Sequence, residues 1–236
     1  SGKRIPYIRI GSKHVEDDYL FSNLLTDNNP DNWQRLLKEN PVLVSTVATF
    51  KNNLLLLKQF IPYKQVVVDE ASQLTEADLA GVLSVFEKFV LIGDQKQLPA
   101  VITQKEQTCL INNEYLLSLG ISNFRTSLFE RLIKNAQEKE WIGTYGQLSD
   151  HYRMHKQIAN LICRHYRSPL QEAKEEQRSS EFSYNFDEDH PLYLISNSRT
   201  LFIETPPEPI PKKNKKEAEL AAYIAETLIR ENKLTA

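Results

Sequence analysis

Two short apolar runs that stop abruptly on carboxylates restrict this chain to one class of fold more tightly than anything else in it. Val66-Val67-Val68 leads into Asp69-Glu70-Ala71-Ser72-Gln73, and Phe89-Val90-Leu91-Ile92 leads into Gly93-Asp94-Gln95-Lys96-Gln97-Leu98-Pro99. Continuous, β-branched-rich runs of this length are what strands buried on both faces of a parallel sheet look like. In open α/β sheets, ligands bind just beyond the carboxyl ends of the strands. Asp69, Glu70, Asp94 and Gln97 are therefore expected together at one crevice, at positions suited to a metal-bound phosphate.

The surrounding pattern extends the α/β reading. Ile5–Ile10 and Val42–Val47 read as strands, with a short helix over Asp31–Glu39 between them. The four leucines in Lys51–Gln59 fit a helix or a strand equally. Gln65–Asp69 is the third strand, and Thr75 with Asp78 forms a T-x-x-D helix start ahead of Leu79, Val82, Leu83 and Phe86. Phe89–Gly93 follows as the fourth strand, so strand and helix alternate as in βαβ units around a parallel sheet. Residues 101–124 read as irregular. Ser127 and Glu130 form a capping box for a helix with Leu128, Leu132 and Ile133 inward. An extended stretch is expected over Tyr145–Ser149 and a helix from Lys156 to Tyr166, burying Ile158, Ala159, Leu161 and Ile162. Residues 171–190, with seven acidic and two basic side chains, read as a solvated loop. Thr200–Glu204 reads as a strand ended by the prolines at 206, 207, 209 and 211, and Asn214 with Glu217 caps a last helix carrying Leu220, Ile224 and Leu228.

Composition excludes little. A length of 236 residues allows one large domain or two modest ones, and 41% hydrophobic with 25% charged residues is ordinary for a globular chain. No apolar run approaches the ~20 residues that span a bilayer, so no membrane partner is expected. A net charge of −2 means that any nucleic-acid site must be a local groove. Cys109 and Cys163 have no CxxC spacing and read as reduced thiols of an intracellular protein; the five histidines show no zinc-ligand spacing.

An aspartate at the tip of a buried strand is placed to hold Mg²⁺ directly or through water, and a neighbouring glutamate is placed to orient and deprotonate an attacking water. Mg²⁺ keeps several waters, so one or two carboxylates plus phosphates satisfy it. Read alone, Asp69-Glu70 is equally a strand-ending turn with a capping acid, and Gln97 a surface glutamine.

Asp69-Glu70-Ala71-Ser72-Gln73 resembles motif II, and Gly93-Asp94-Gln95-Lys96-Gln97-Leu98-Pro99 motif III, of superfamily I helicases. The similarity is to the five-prime-to-three-prime branch, which includes nonsense-mediated-decay helicases and DNA-replication helicase–nucleases. Ser127-Leu-Phe-Glu-Arg-Leu132 and Tyr152-Arg153-Met154-His155 recur there in the same order, and Val44-Ser45-Thr46 is similar to its motif Ic. The resemblance implies an α/β fold: a partial RecA-like P-loop NTPase parallel sheet over 1–150, and the start of a second RecA-like domain over 151–236. It implies ATP and Mg²⁺ as cofactors and single-stranded DNA or RNA as partner. By position, Asp69 would hold Mg²⁺, Glu70 would activate water and Gln97 would sense the γ-phosphate. Arg153 would act as an arginine finger, Tyr152 would pack on the nucleotide base, and Thr46 would contact a nucleic-acid phosphate. The implied activity is ATP-driven helicase or translocase movement along the strand.

Two departures stand out. His151 occupies the place where the family usually has glutamine or asparagine, and no G-x-x-x-x-G-K-[ST] loop occurs in the chain. The sequence thus resembles the middle of a helicase core, expected to turn over little ATP by itself. A non-catalytic nucleic-acid- or protein-binding module is the alternative, as is a helicase-like ATPase without unwinding activity. The run Lys212-Lys213-Asn214-Lys215-Lys216 reads as a solvated helix entrance rather than a phosphate contact.

Overall fold

The computed structural model describes residues 5–11, 19–20, 29–166, 168–179, 186–196, 198–207 and 213–230. Pro209, Pro211 and Lys212 of the sequence reading lie outside them. The chain divides into two compact units, Ser1–Tyr145 and Gly146–Ala236.

The first unit is α/β. Strand β1 (Tyr7–Ile10) pairs in parallel with β2 (Val42–Ser45), after helix α1 (Pro30–Glu39). Helices α2 (Val47–Asn52) and α3 (Leu54–Phe60) follow, resolving the leucine run as helical. Strand β3 (Gln65–Val68) then pairs in parallel with β4 (Lys88–Leu91), with α4 (Glu76–Leu83) as the crossover. Beyond β4 come α5 (Glu114–Ser118), in the stretch read as irregular, and α6 (Leu128–Glu138).

Helix starts follow side-chain chemistry closely. Thr46, Thr75, Asn113 and Ser127 each accept a hydrogen bond from the backbone N–H three residues on, satisfying a donor that the helix itself leaves unpaired. Thr46 therefore belongs to a cap, and β2 stops at Ser45 rather than running to Val47. Asp78, in the first turn of α4, accepts from Lys51 Nζ at 2.6 Å and from the Thr75 hydroxyl at 2.7 Å. Those donors, Lys51 first, hold the Asp78 carboxyl below its ordinary range.

Helix α4 serves two apolar clusters. Leu79 and Leu83 join Val68, Ala71, Leu128 and Phe129, while Val82 packs with Phe50 and Leu57. Leu79 is fully buried, worth roughly 1.5–3 kcal/mol. Among the described residues the β3–β4 pair is covered on one face only, a correction to the two-sided burial expected from sequence. Val66, Val68 and Leu91 pack on the core, whereas Val67 and its register partner Val90 are 56% and 44% exposed. The runs are continuous because valine and isoleucine occupy both faces, not because both faces are buried among the described residues. A bidentate ion pair between Arg131 of α6 and Glu76 of α4 closes the unit, with Arg131 Nη1 donating to the Leu119 carbonyl.

In the second unit, β5 (Asp150–His151) pairs in parallel with β6 (Gln171–Glu172), flanking α7 (Lys156–Cys163). Helices α8 (Glu176–Ser179) and α9 (Tyr193–Ser196) precede α10 (Lys215–Arg230), whose Leu228 packs with Phe186 and Leu192. In the stretch 171–190, expected as a loop, β6 and α8 occupy part, and 180–185 lie outside the described residues. Of the stretch Tyr145–Ser149, Ser149 alone reaches β6, its carbonyl accepting from Gln171 N–H at 2.9 Å. Thr200–Glu204 joins no ladder among the described residues, and Leu161 of α7 is 54% exposed rather than inward. No described helix is long and apolar enough to cross a membrane.

Candidate functional site

Strand β3 ends on buried Val68, and the next two residues turn outward into solvent. Glu70 adopts the left-handed conformation (φ 53°, ψ 35°), which side-chain-bearing residues other than asparagine and aspartate rarely take. The turn is fixed locally. Glu70 N–H donates to Asp69 Oδ1 at 3.0 Å, and Gln73 Nε2 donates to Glu70 Oε2 at 3.0 Å. One oxygen of each carboxylate is thereby engaged, on exposed side chains.

The loop after β4 is locked onto that turn. Ile92 N–H donates to the Val68 carbonyl and Ala71 N–H to the Ile92 carbonyl, both at 2.8 Å, carrying the β3–β4 pairing past the strand ends. Buried Ser72 accepts, through Oγ, from Asp94 N–H at 3.1 Å. Gly93 is required for space rather than for turn geometry. A Cβ there would lie 2.9 Å from the Ser72 backbone nitrogen and 3.3 Å from that of Ala71. Asp94 then organises its own loop: Oδ1 accepts from Lys96 N–H at 2.9 Å and Oδ2 from Gln97 Nε2 at 3.0 Å. The carboxylates Asp69 and Glu70 and the amide Gln97 thus project from two turns joined through Ser72, Ala71 and Ile92. Ser72 and Gln73 are not singled out by the sequence as individual contributors; a small hydroxyl two residues after the paired acids, past Ala71, is the available signal.

The other candidates are placed separately. Thr46 Oγ1 caps α2, accepting from Thr49 N–H at 3.2 Å and donating to Thr49 Oγ1 at 2.9 Å, on an exposed side chain. Tyr152 and Arg153 lie in the second unit, just after β5, with Tyr152 68% exposed and Arg153 also exposed. Neither Asp150 nor any other described carboxylate of that unit pairs with Arg153. A shallow concavity of about 470 Å³ on β1–β2, lined by Ile5, Tyr7, Arg9, Val42 and Val44, shares no residue with the carboxylate turns.

The donor set bears on which ion the turns suit. Among the described residues no group of three or more histidine, cysteine, aspartate or glutamate side chains is placed to hold a metal. The turns therefore offer hard oxygens but no complete protein cage, and a cation there would draw most ligands from water or phosphate. That donor chemistry fits Mg²⁺ and not a structural zinc. Cys109 is buried, Cys163 half-buried, and neither forms a disulfide.

Residues 12–105 match the AAA domain family. The chain is 31% identical over 128 residues to the DNA replication ATP-dependent helicase/nuclease DNA2 of Gallus gallus, covering 54% of this chain and 11% of that protein. It is 33% identical over 132 residues to the probable helicase senataxin of Mus musculus, covering 52% and 5%. With the probable helicase MAGATAMA 3 of Arabidopsis thaliana it shares 29% identity over 143 residues, 60% and 15% of the two chains. The chain spans between 5% and 15% of the length of these relatives. With its AAA-domain match and these similarities, the chain is a distant, partial relative of the superfamily I helicases, of the nonsense-mediated-decay and replication helicase–nuclease type.

Proposed function

We propose that this chain carries part of the ATP-hydrolysing machinery of a helicase or translocase acting on single-stranded nucleic acid, with two RecA-like domains in the parent protein. One observation carries the reading: Asp69-Glu70 and Asp94–Gln97 leave the carboxyl ends of adjacent parallel strands, held together by the Asp94 N–H to Ser72 Oγ bond and by Gly93. That is where an α/β sheet binds phosphates. In this reading Asp69 holds Mg²⁺, which shields phosphate charge when bound, and Glu70 takes a proton from the attacking water. Gln97, presented by Asp94, contacts the γ-phosphate. Arg153 supplies the arginine-finger cation, a role suited to a guanidinium that no described acid of its own unit neutralises. Tyr152 stacks on the base, and the exposed helix start at Thr46 meets a nucleic-acid phosphate.

Glu70→Gln in the full natural protein tests the assignment of the base. Turnover of ATP should fall at least about a hundredfold while nucleotide binding persists. Wild-type turnover in that variant removes Glu70 from the role.

A further inference from the structure

The segment bearing Tyr152 and Arg153 is gripped from beneath by one side chain outside every motif. Gln177, 8% exposed in α8, donates from Nε2 to the Met154 carbonyl at 2.8 Å and contacts His151 Nδ1 at 3.1 Å. Its Oε1 accepts from Lys174 N–H at 2.9 Å. These partners fix the amide orientation: exchanging oxygen and nitrogen would set Oε1 against the Met154 carbonyl and Nε2 against the Lys174 N–H. Nε2 therefore donates one hydrogen to Met154 and the other to His151, whose Nδ1 must be unprotonated. The ring proton is left on Nε2, which is buried without a hydrogen-bond partner among the described residues. An orphaned buried N–H is costly, so the arrangement sacrifices one hydrogen bond of His151 to keep the clamp.

The two residues flanking the exposed pair are the ones held. His151 precedes Tyr152, and Met154 follows Arg153. The support is itself tied down by Ala173 N–H donating to the His151 carbonyl at 3.0 Å, and by Arg178 Nη2 donating to the Glu172 carbonyl at 3.1 Å.

We infer that Gln177 is a positioning residue, clamping both ends of the Tyr152–Arg153 segment so that the guanidinium is presented in a set direction. The kinetic part of this inference rests on the role proposed above for Arg153; the clamp itself does not.

The 236-residue chain, labelled with ¹⁵N at histidine and at backbone amides, tests the clamp directly. Wild type should show His151 as the Nε2–H tautomer. Gln177→Leu should mix the tautomers and increase fast motion at the Tyr152 and Arg153 amides. Gln177→Glu, which keeps size and the Oε1 acceptor, should draw a proton onto Nδ1 at neutral pH even if the leucine variant fails to fold. A wild-type tautomer in Gln177→Glu, or in a folded Gln177→Leu, overturns the clamp. In the full natural protein, Gln177→Leu should lower kcat roughly ten- to a hundredfold with KM for ATP nearly unchanged, and cause no further loss in an Arg153→Ala background. Equal losses in both backgrounds overturn action through Arg153. Wild-type kcat in Arg153→Ala alone overturns the role of the arginine and with it the kinetic part, leaving the clamp to be decided by the His151 resonances.

Discussion

At the scale of single residues, Glu70 holds a conformation that its side chain does not favour. Left-handed backbone costs a side-chain-bearing residue roughly 1–2 kcal/mol, and glycine takes it freely. The Glu70 side chain returns little of this, accepting one exposed hydrogen bond from Gln73, and its backbone bonds to Asp69 and Gln73 do not need that side chain. Glu70→Gly should therefore leave stability unchanged or raise it by up to about 1 kcal/mol in urea unfolding, although the proposed function requires turnover to vanish. A clear loss of stability would instead make Glu70 a structural residue. Gly93 has the opposite profile. An added methyl meets the Ser72 and Ala71 backbone nitrogens rather than a yielding side chain, so Gly93→Ala should destabilise by about 1–3 kcal/mol in the same measurement. A neutral result would mean that the two turns can part without cost.

At the scale of elements, helix starts were the most legible part of the sequence. Thr75, Ser127 and Asn214 were identified as caps because a hydroxyl or amide three residues ahead of an acid is local chemistry, and each accepts the expected N–H. Strands were less legible. Thr200–Glu204 has β-forming residues yet joins no described ladder, since a strand is defined by a partner that the segment itself does not encode. Two-sided burial of β3 and β4 fails as an expectation for the same reason: apolar composition does not say whether a covering layer is present. The start of α4 also yields a pH signature. Lys51 and Thr75 depress the Asp78 carboxyl, so its ionised form favours the folded state. That contribution is present above the ordinary carboxylate pKa of about 4 and is lost as pH falls through the lowered folded value. Wild type should exceed Asp78→Asn in stability near neutrality, and the two should converge in acid. A constant difference across a pH series of denaturant melts would contradict this.

At the scale of the whole molecule, the carboxylate turns were legible because both halves sit beside recognisable apolar runs. What joins them was not. Ser72, Gly93 and Gln177 act through distances to residues far away in the chain, and nothing in their immediate neighbours announces it. The tie between α4 and α6 is equally long-range. Arg131 and Glu76 side chains are only 14% and 12% exposed. Arg131→Met leaves a partly buried carboxylate without its cation and should cost the first unit about 3 kcal/mol, whereas pairing it with Glu76→Leu should recover most of that loss. Equal destabilisation by the single and double variants would show that the pair matters only as packing. The register of β3 against β4 has a last implication, for changes in length. Val68 stands opposite Leu91, so the two turns meet only because a fixed number of residues separates each from that rung. Natural insertions and deletions should collect in the connection between α4 and β4, where a residue more or less leaves the rung intact. Between Leu91 and Gln97 the chain has no slack to give.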